Sequence, residues 1–172
     1  MPAALRRCSS ITEDLTRLAC FDAVARSVAP AAPSSGEARG AWDIQTRPGS
    51  VVASQRPAGP PSEDDISLVV GCTGGVTSVS VRRQPVVARS ASTLVTVHVN
   101  DRLLDSDLWA TSADLRSASM PGDAAAFLRG LPSEGELMIR LEGSRGFRFE
   151  GTFALRGLDQ VRRAVGQACR WP

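Results

Sequence analysis

The residues of this chain best suited to covalent or metal chemistry are four cysteines, Cys8, Cys20, Cys72 and Cys169, and a single histidine, His98. None of the cysteines forms a C-x-x-C pair, so their spacing supports neither a tetrahedral zinc site nor a thioredoxin-like dithiol. An even number at long spacings reads instead as two disulfides, which form in an oxidising compartment. Four buried thiols are the plainer alternative, because free cysteine packs as a small hydrophobe. Carboxylates gather at Glu63–Asp65 and at Asp101, Asp105 and Asp107. Two carboxylates in one cleft can run acid–base or glycosidase chemistry, but these are expected in turns, where Asp serves local hydrogen bonding. His98 falls in the strand-like run STLVTVHV, where a lone imidazole reads as structural or exposed. There is no Gly-x-Ser-x-Gly elbow, no Walker loop and no His/Glu metal spacing. Gly71–Gly75 reads as a hairpin turn, since no helix follows it to complete a phosphate cradle. On this reading the chain has no catalytic residue, no cofactor and no metal.

Composition narrows the class further. A chain of 172 residues fits one domain large enough to bury its own core. Its 20 basic residues, all Arg, nearly balance 18 acidic ones, which leaves no electrostatic case for nucleic acid. Lys and Tyr are both missing, a bias that follows from GC-rich coding. No run approaches the ~20 apolar residues of a membrane-spanning helix. Met1–Arg7 carries Arg6 and Arg7 without an apolar stretch, so no signal peptide is read here, and Cys8 is not read as a lipid-attachment site.

The elements that must position these residues change period along the chain. Ser10 and Glu13 have capping-box spacing. Leu15, Leu18, Phe21 and Val24 then recur on one helical face until Pro30. Residues 30–41, rich in Ala, Pro, Ser and Gly, read as a linker. From Trp42 the period is two, with strands expected around 42–47, 50–55, 66–72, 76–83, 92–99, 136–142 and 147–154. DLWATSA at 107–113 is a candidate eighth strand, and 123–130 a short helix. Ile66, Leu68, Val70 and Cys72 share one strand face, as do Leu137, Ile139 and Leu141, and Phe147, Phe149 and Phe153. Leu158, Val161, Val165, Ala168 and Cys169 form one stripe of a terminal helix. The expected fold is mainly β: a small β-sandwich or barrel-like domain over 42–172, closed by a C-terminal helix. An N-terminal helical segment over 1–29, braced by a disulfide, precedes the 30–41 linker.

This arrangement predicts the disulfide pairing. Cys169 lies eleven residues after Leu158, within about 20° of the same helix face, and Cys72 has core-facing parity on its strand. Cys72 therefore pairs with Cys169, leaving Cys8 for Cys20. A straight helix would hold that second pair about 18 Å apart, far beyond the ~7 Å limit for a bridge, so the chain must reverse near Ser9–Ser10.

Trp42, Trp109 and Trp171 read most simply as packing residues. Trp109, flanked by Asp107 and Ser112, is also the candidate anchor for a protein partner. Arg148–Phe149–Glu150 reads as a half-buried strand with a charged outer face, and Arg82–Arg83 as a solvated strand end.

Several of these segments also share an order with a known family. CSSITEDLTRLACFD, from Cys8 to Asp22, has the C-x-x-I…R-L-x-C-[YF]-D form that opens small exported bacterial proteins. It is followed by GAWDIQ near Trp42, the strand ending in Gly71–Cys72, DLWATSAD at Asp107–Asp114 and FLRGL at Phe127–Leu131. The ending, F-x-L-x-G-L…C-x-W, is carried by Phe153, Leu155, Gly157, Leu158, Cys169 and Trp171. From Cys8 to Pro172 the chain resembles the VasI/TagO family of type VI secretion system-associated proteins. It departs from the family in the short, Pro-rich connection between the Trp42 and Ile66 strands. The resemblance implies a periplasmic accessory protein without an active site. Its partner would be a protein of the cell envelope, a type VI secretion component, with no nucleic acid and no membrane span; oligomeric state is left open. Two other classes remain. A peptidoglycan-acting enzyme or cell-wall-binding module would need His98 or Asp101, Asp105 and Asp107 to converge in a cleft. An immunity-like inhibitor would need a toxin partner.

Overall fold

The computed structural model describes residues 13, 14, 17, 20, 41–62, 64–84, 87, 88, 90–142, 146 and 148–172. The chain divides into two units, Met1–Glu37 and Ala38–Pro172. In the first, Asp14, Arg17 and Cys20 are helical, and Arg17 bonds Asp14 one turn back at 2.6 Å. The reversal near Ser9–Ser10, the Cys8 side of the predicted Cys8–Cys20 bridge and nearly all of the 30–41 linker lie outside the described residues.

Among its described residues the second unit contains nine strands: β1 Trp42–Arg47, β2 Ser50–Gln55, β3 Ser67–Thr73, β4 Val76–Arg82, β5 Ser92–Val99, β6 Arg102–Thr111, β7 Ser117–Ser119, β8 Glu136–Glu142 and β9 Arg148–Ala154. Two helices, α1 Ala124–Gly130 and α2 Leu158–Cys169, complete it. Asp123 caps α1 by accepting the Ala126 N–H at 2.9 Å.

All nine strands lie in one antiparallel sheet, ordered β1-β2-β3-β4-β7-β6-β5-β8-β9. This corrects the expectation of a sandwich or closed barrel: the sheet is open and continuous. The physical reason is β7. Its three residues pair with Ser80–Arg82 of β4 on one side and with Ala110–Thr111 of β6 on the other. They join the β1–β4 meander to a second block ordered β6-β5-β8-β9.

The turns follow from backbone requirements. The β3–β4 hairpin reverses at Gly74 and Gly75, with φ of 59° and 81° that only glycine adopts without strain. Gly71 and Cys72 belong to β3 itself, so the turn is shorter than the Gly71–Gly75 stretch suggested. The β5–β6 hairpin turns on Asn100 and Asp101, both at positive φ, the conformation a two-residue hairpin matched to strand twist demands.

One apolar cluster forms the core. Ile66, Leu68, Val70 and Cys72 are all buried on one face of the β3 segment, as their alternation predicts. Leu137, Ile139 and Leu141 of β8 and Phe149 and Phe153 of β9 are buried in the same cluster; Phe147 lies outside the described residues. Gly151 sits where a Cβ would stand 2.9 Å from Ile66 Cγ1, so the two segments approach too closely for any larger residue. Loop contacts support that approach: the Ala58 N–H donates to Thr152 O at 2.9 Å, and Gln55 Nε2 donates to Ala154 O at 3.0 Å.

Helix α2 packs across β1 to β4, burying Leu158, Val161 and Val165. Its end is clamped as predicted, by the Cys72–Cys169 disulfide with Cα atoms 5.7 Å apart. Arg162 secures its start, donating to Leu128 O at 2.8 Å and to Leu131 O just past α1. The same guanidinium pairs with Asp159 at 2.8 Å. The Ser133 hydroxyl and then Arg162 hold the Asp159 carboxyl below the usual carboxylate range.

Candidate functional site

Strand alternation gives β2, β3, β4 and β7 a second face, turned away from the core. Register places Ser54 opposite Val69, Val69 opposite Ser80, and Ser80 opposite Ser119 in one row. Ser67, Arg82 and Ser117 form the next row. A sheet face built of serine, one valine and arginine has little apolar surface to hide, and Val69 and Ser80 at its centre are buried. It floors a cleft of about 870 Å³.

The walls come from loops. Arg56, Pro61, Ser62 and Asp65 enter from the β2–β3 connection, Arg83 and Gln84 from the end of β4, and Ser112, Asp114 and Arg116 from the β6–β7 turn. Four guanidinium groups thus face two carboxylates along the lining. Arg83 is not the solvated strand end expected from sequence: its side chain is 11% exposed and pairs with Asp64 at 2.8 Å. It also stacks over the Phe149 ring, 4.1 Å from its centroid, an arrangement that suits a desolvated guanidinium. Arg56, Arg82 and Arg116 are exposed. Ser62 N–H donates to Asp65 at 3.1 Å.

The β6–β7 turn is rigid by its own bonds. Ser112 Oγ donates to Asp114 Oδ1 at 2.5 Å, and the Arg116 N–H donates to the same oxygen at 3.1 Å. These two donors, the hydroxyl first, hold the Asp114 carboxyl below its usual range. Ser112 Oγ also accepts the Ser117 N–H at 3.0 Å, so the Arg116 backbone is fixed between two bonded neighbours. Guanidinium groups over a floor of hydroxyls are chemically suited to pair with carboxylates or other anionic groups.

The structure separates the three residues proposed as a partner contact. Ser112 lines the cleft. Trp109 does not reach the surface: it is 0% exposed, opposite the buried Thr93 on β5, and it belongs to the core cluster. Its local sequence is polar, but the parity of β6 at that point faces inward with Val95 and Val97. Asp107 is exposed on β6, outside the cleft lining.

Asp105 and Asp107 are strand residues and not turn residues, and only Asp101 lies in the hairpin turn. His98 sits on β5 between Leu103 and Met138. None of His98, Asp101, Asp105 or Asp107 lines the cleft. Among the described residues no group of His, Cys, Asp and Glu is placed to hold a metal ion, and no described helix is long and apolar enough to cross a membrane.

Of the cleft residues, sequence reading had singled out Arg82, Arg83, Asp65 and Ser112. Arg56, Arg116 and the serine rows carried no local signal, because only the pairing of β7 with β4 brings them together. No family model, no curated protein and no solved structure matches the chain.

Proposed function

We propose that this chain is a non-enzymatic accessory protein of a bacterial type VI secretion system, acting in the periplasm through protein contacts. The observation that carries the reading is the cleft. Exposed Arg56, Arg82 and Arg116 stand over a serine floor and are suited to an acidic segment of a partner protein. The Cys72–Cys169 disulfide supports an oxidising compartment, and a second bridge, Cys8–Cys20, is part of the same proposal. The resemblance to the VasI/TagO family supports the assignment to secretion. The residues that carry it at the chain end, Phe153, Leu155, Leu158 and Cys169, are core or clamp residues in this fold.

The reading is tested by placing a photo-crosslinking side chain at position 82 in the full protein, within the envelope of a type VI-active cell. Capture of a type VI component, lost in Arg56→Glu/Arg116→Glu, is the expected result. Capture that is insensitive to charge reversal, or confined to proteins outside the apparatus, would overturn it. Mass spectrometry of unreduced protein provides a separate check: four free thiols would remove the periplasmic assignment.

A further inference from the structure

Strand β6 has ten residues, yet on the side away from β5 it is paired, among the described residues, only at Ala110 and Thr111. From Arg102 to Leu108 that edge is open, and every residue there except the half-buried Asp105 is exposed. An open edge presents backbone donors and acceptors to any extended chain. Leu103, Leu104 and Leu108 are exposed by 63%, 50% and 58%, and Leu108 pairs across the ladder with the exposed Leu94.

The hydrogen bonding shows which donors point outward. Thr111 donates its N–H to Ala91 O, toward β5, so Ser106 and Leu108, of opposite parity, direct theirs to the open side. Each is covered by the carboxylate before it: Ser106 N–H by Asp105 Oδ1 at 2.9 Å, and Leu108 N–H by Asp107 Oδ1 at 2.7 Å. The two carboxylates occupy the positions that carbonyls of a neighbouring strand would take.

We propose that this edge receives an extended segment of a partner protein as an added strand, and that the segment carries Lys or Arg at alternate positions. Side chains on an added strand alternate at period two. One set therefore meets Asp105 and Asp107 while the other lies along Leu103 and Leu108. On docking, the partner's carbonyls take the Ser106 and Leu108 N–H groups, and the released carboxylates pair with its cations. A second copy of this chain is the wrong occupant. Antiparallel pairing of two β6 edges sets carboxylate against carboxylate, and like charges directly opposite are destabilising. The inference is independent of the cleft and of the secretion assignment.

The test uses the full, isotope-labelled chain and two synthetic eight-residue peptides, one alternating Val and Lys, the other Val and Glu. The Val–Lys peptide is expected to shift the Ser106 and Leu108 amide resonances and to bind about tenfold more tightly than the Val–Glu peptide. Ser106→Pro removes an edge-side N–H, keeps the backbone ladder to β5 while losing the 3.4 Å Thr96–Ser106 hydroxyl contact, and should abolish binding. Asp105→Lys/Asp107→Lys should invert the preference, which keeps the proposal testable if the proline variant fails to fold. Equal affinity for the two peptides, shifts confined to other strands, failure of the Val–Lys peptide to bind at millimolar concentration, or self-association through β6 would each overturn it.

Discussion

The indole N–H of Trp171 donates to the Thr77 hydroxyl at 2.7 Å, across 94 positions of chain. Thr77 is the direct cross-strand partner of Cys72, and Trp171 follows Cys169 by two residues. The covalent bridge and the hydrogen bond therefore pin the same end of α2 to the same row of the sheet. Trp171 also packs on Gly166, where a Cβ would stand 3.1 Å from Cε3, and Arg129 lies 5.9 Å from its ring centroid. The chain end is structural: Gly166 holds it locally, its carbonyl accepting the Trp171 N–H at 2.9 Å, while Cys72 and Thr77 hold it from far away in sequence.

Removing the covalent half of this latch has a large expected cost. The bridge closes a separation of 97 residues, and loops of that size carry roughly 3–5 kcal/mol of stabilisation. Cys72→Ser/Cys169→Ser should lower the urea midpoint accordingly. Thr77→Val, which deletes only the hydrogen bond, should cost about 1 kcal/mol.

Trp109 distinguishes a core role from a contact role. Trp109→Ala should destabilise by about 3–5 kcal/mol, as large-to-small changes in a packed core do. Trp109→Phe should cost much less, because among the described residues the buried indole Nε1 has no hydrogen-bond partner to lose. Equilibrium unfolding of the two variants checks the order; a Trp109→Ala protein as stable as the wild type would contradict the burial.

The cleft arginines should behave in the opposite way. Arg82→Ala and Arg116→Ala, both at exposed positions without an ion pair among the described residues, should stay within about 0.5 kcal/mol of wild-type stability. They should nevertheless weaken partner capture. Arg83→Ala should be clearly destabilising, since it breaks the Asp64 pair and exposes the Phe149 face.

Acid sensitivity has a defined sign. Asp114 and Asp159 both titrate below the ordinary value of 3.8 in the folded chain. Their contribution is therefore fully present above that value and is lost as pH falls through it toward the lower folded value. Asp114→Asn/Asp159→Asn should lower the plateau above about pH 5 and flatten the acid limb of a stability profile measured by urea unfolding from about pH 6 to about pH 2.5.

Much of the fold is legible in side-chain parity. Cys72 and Cys169 could be paired because each sits on the apolar face of an element with a clear period. The start of α2 at Leu158 follows from the same regularity. β6 was only partly legible, because Leu103, Leu104, Asp105 and Asp107 break the alternation where the ladder shifts register between Val97 and His98. β7 was not legible at all: Ser-Ala-Ser carries neither hydrophobic pattern nor turn signal, and its position is decided by the two strands it joins. The cleft was hidden for the same reason. The packing reading of Trp109 agrees with its burial opposite Thr93, and the partner-anchor reading does not, because the polar neighbours Asp107 and Ser112 say nothing of how deep the indole itself lies.

The brevity of β7 has a consequence for motion. Three ladder rows to β4 and two to β6 are the only strand pairing that joins the two halves of the sheet among the described residues; outside the ladder, the Ala58 N–H to Thr152 O bond ties the β2–β3 connection to β9. Sheet halves joined so narrowly should open as separate cooperative units, with amide exchange across β1–β4 following one opening free energy and exchange across β5, β8 and β9 another. Ser117–Ser119, shared by both, should exchange with the less protected of the two.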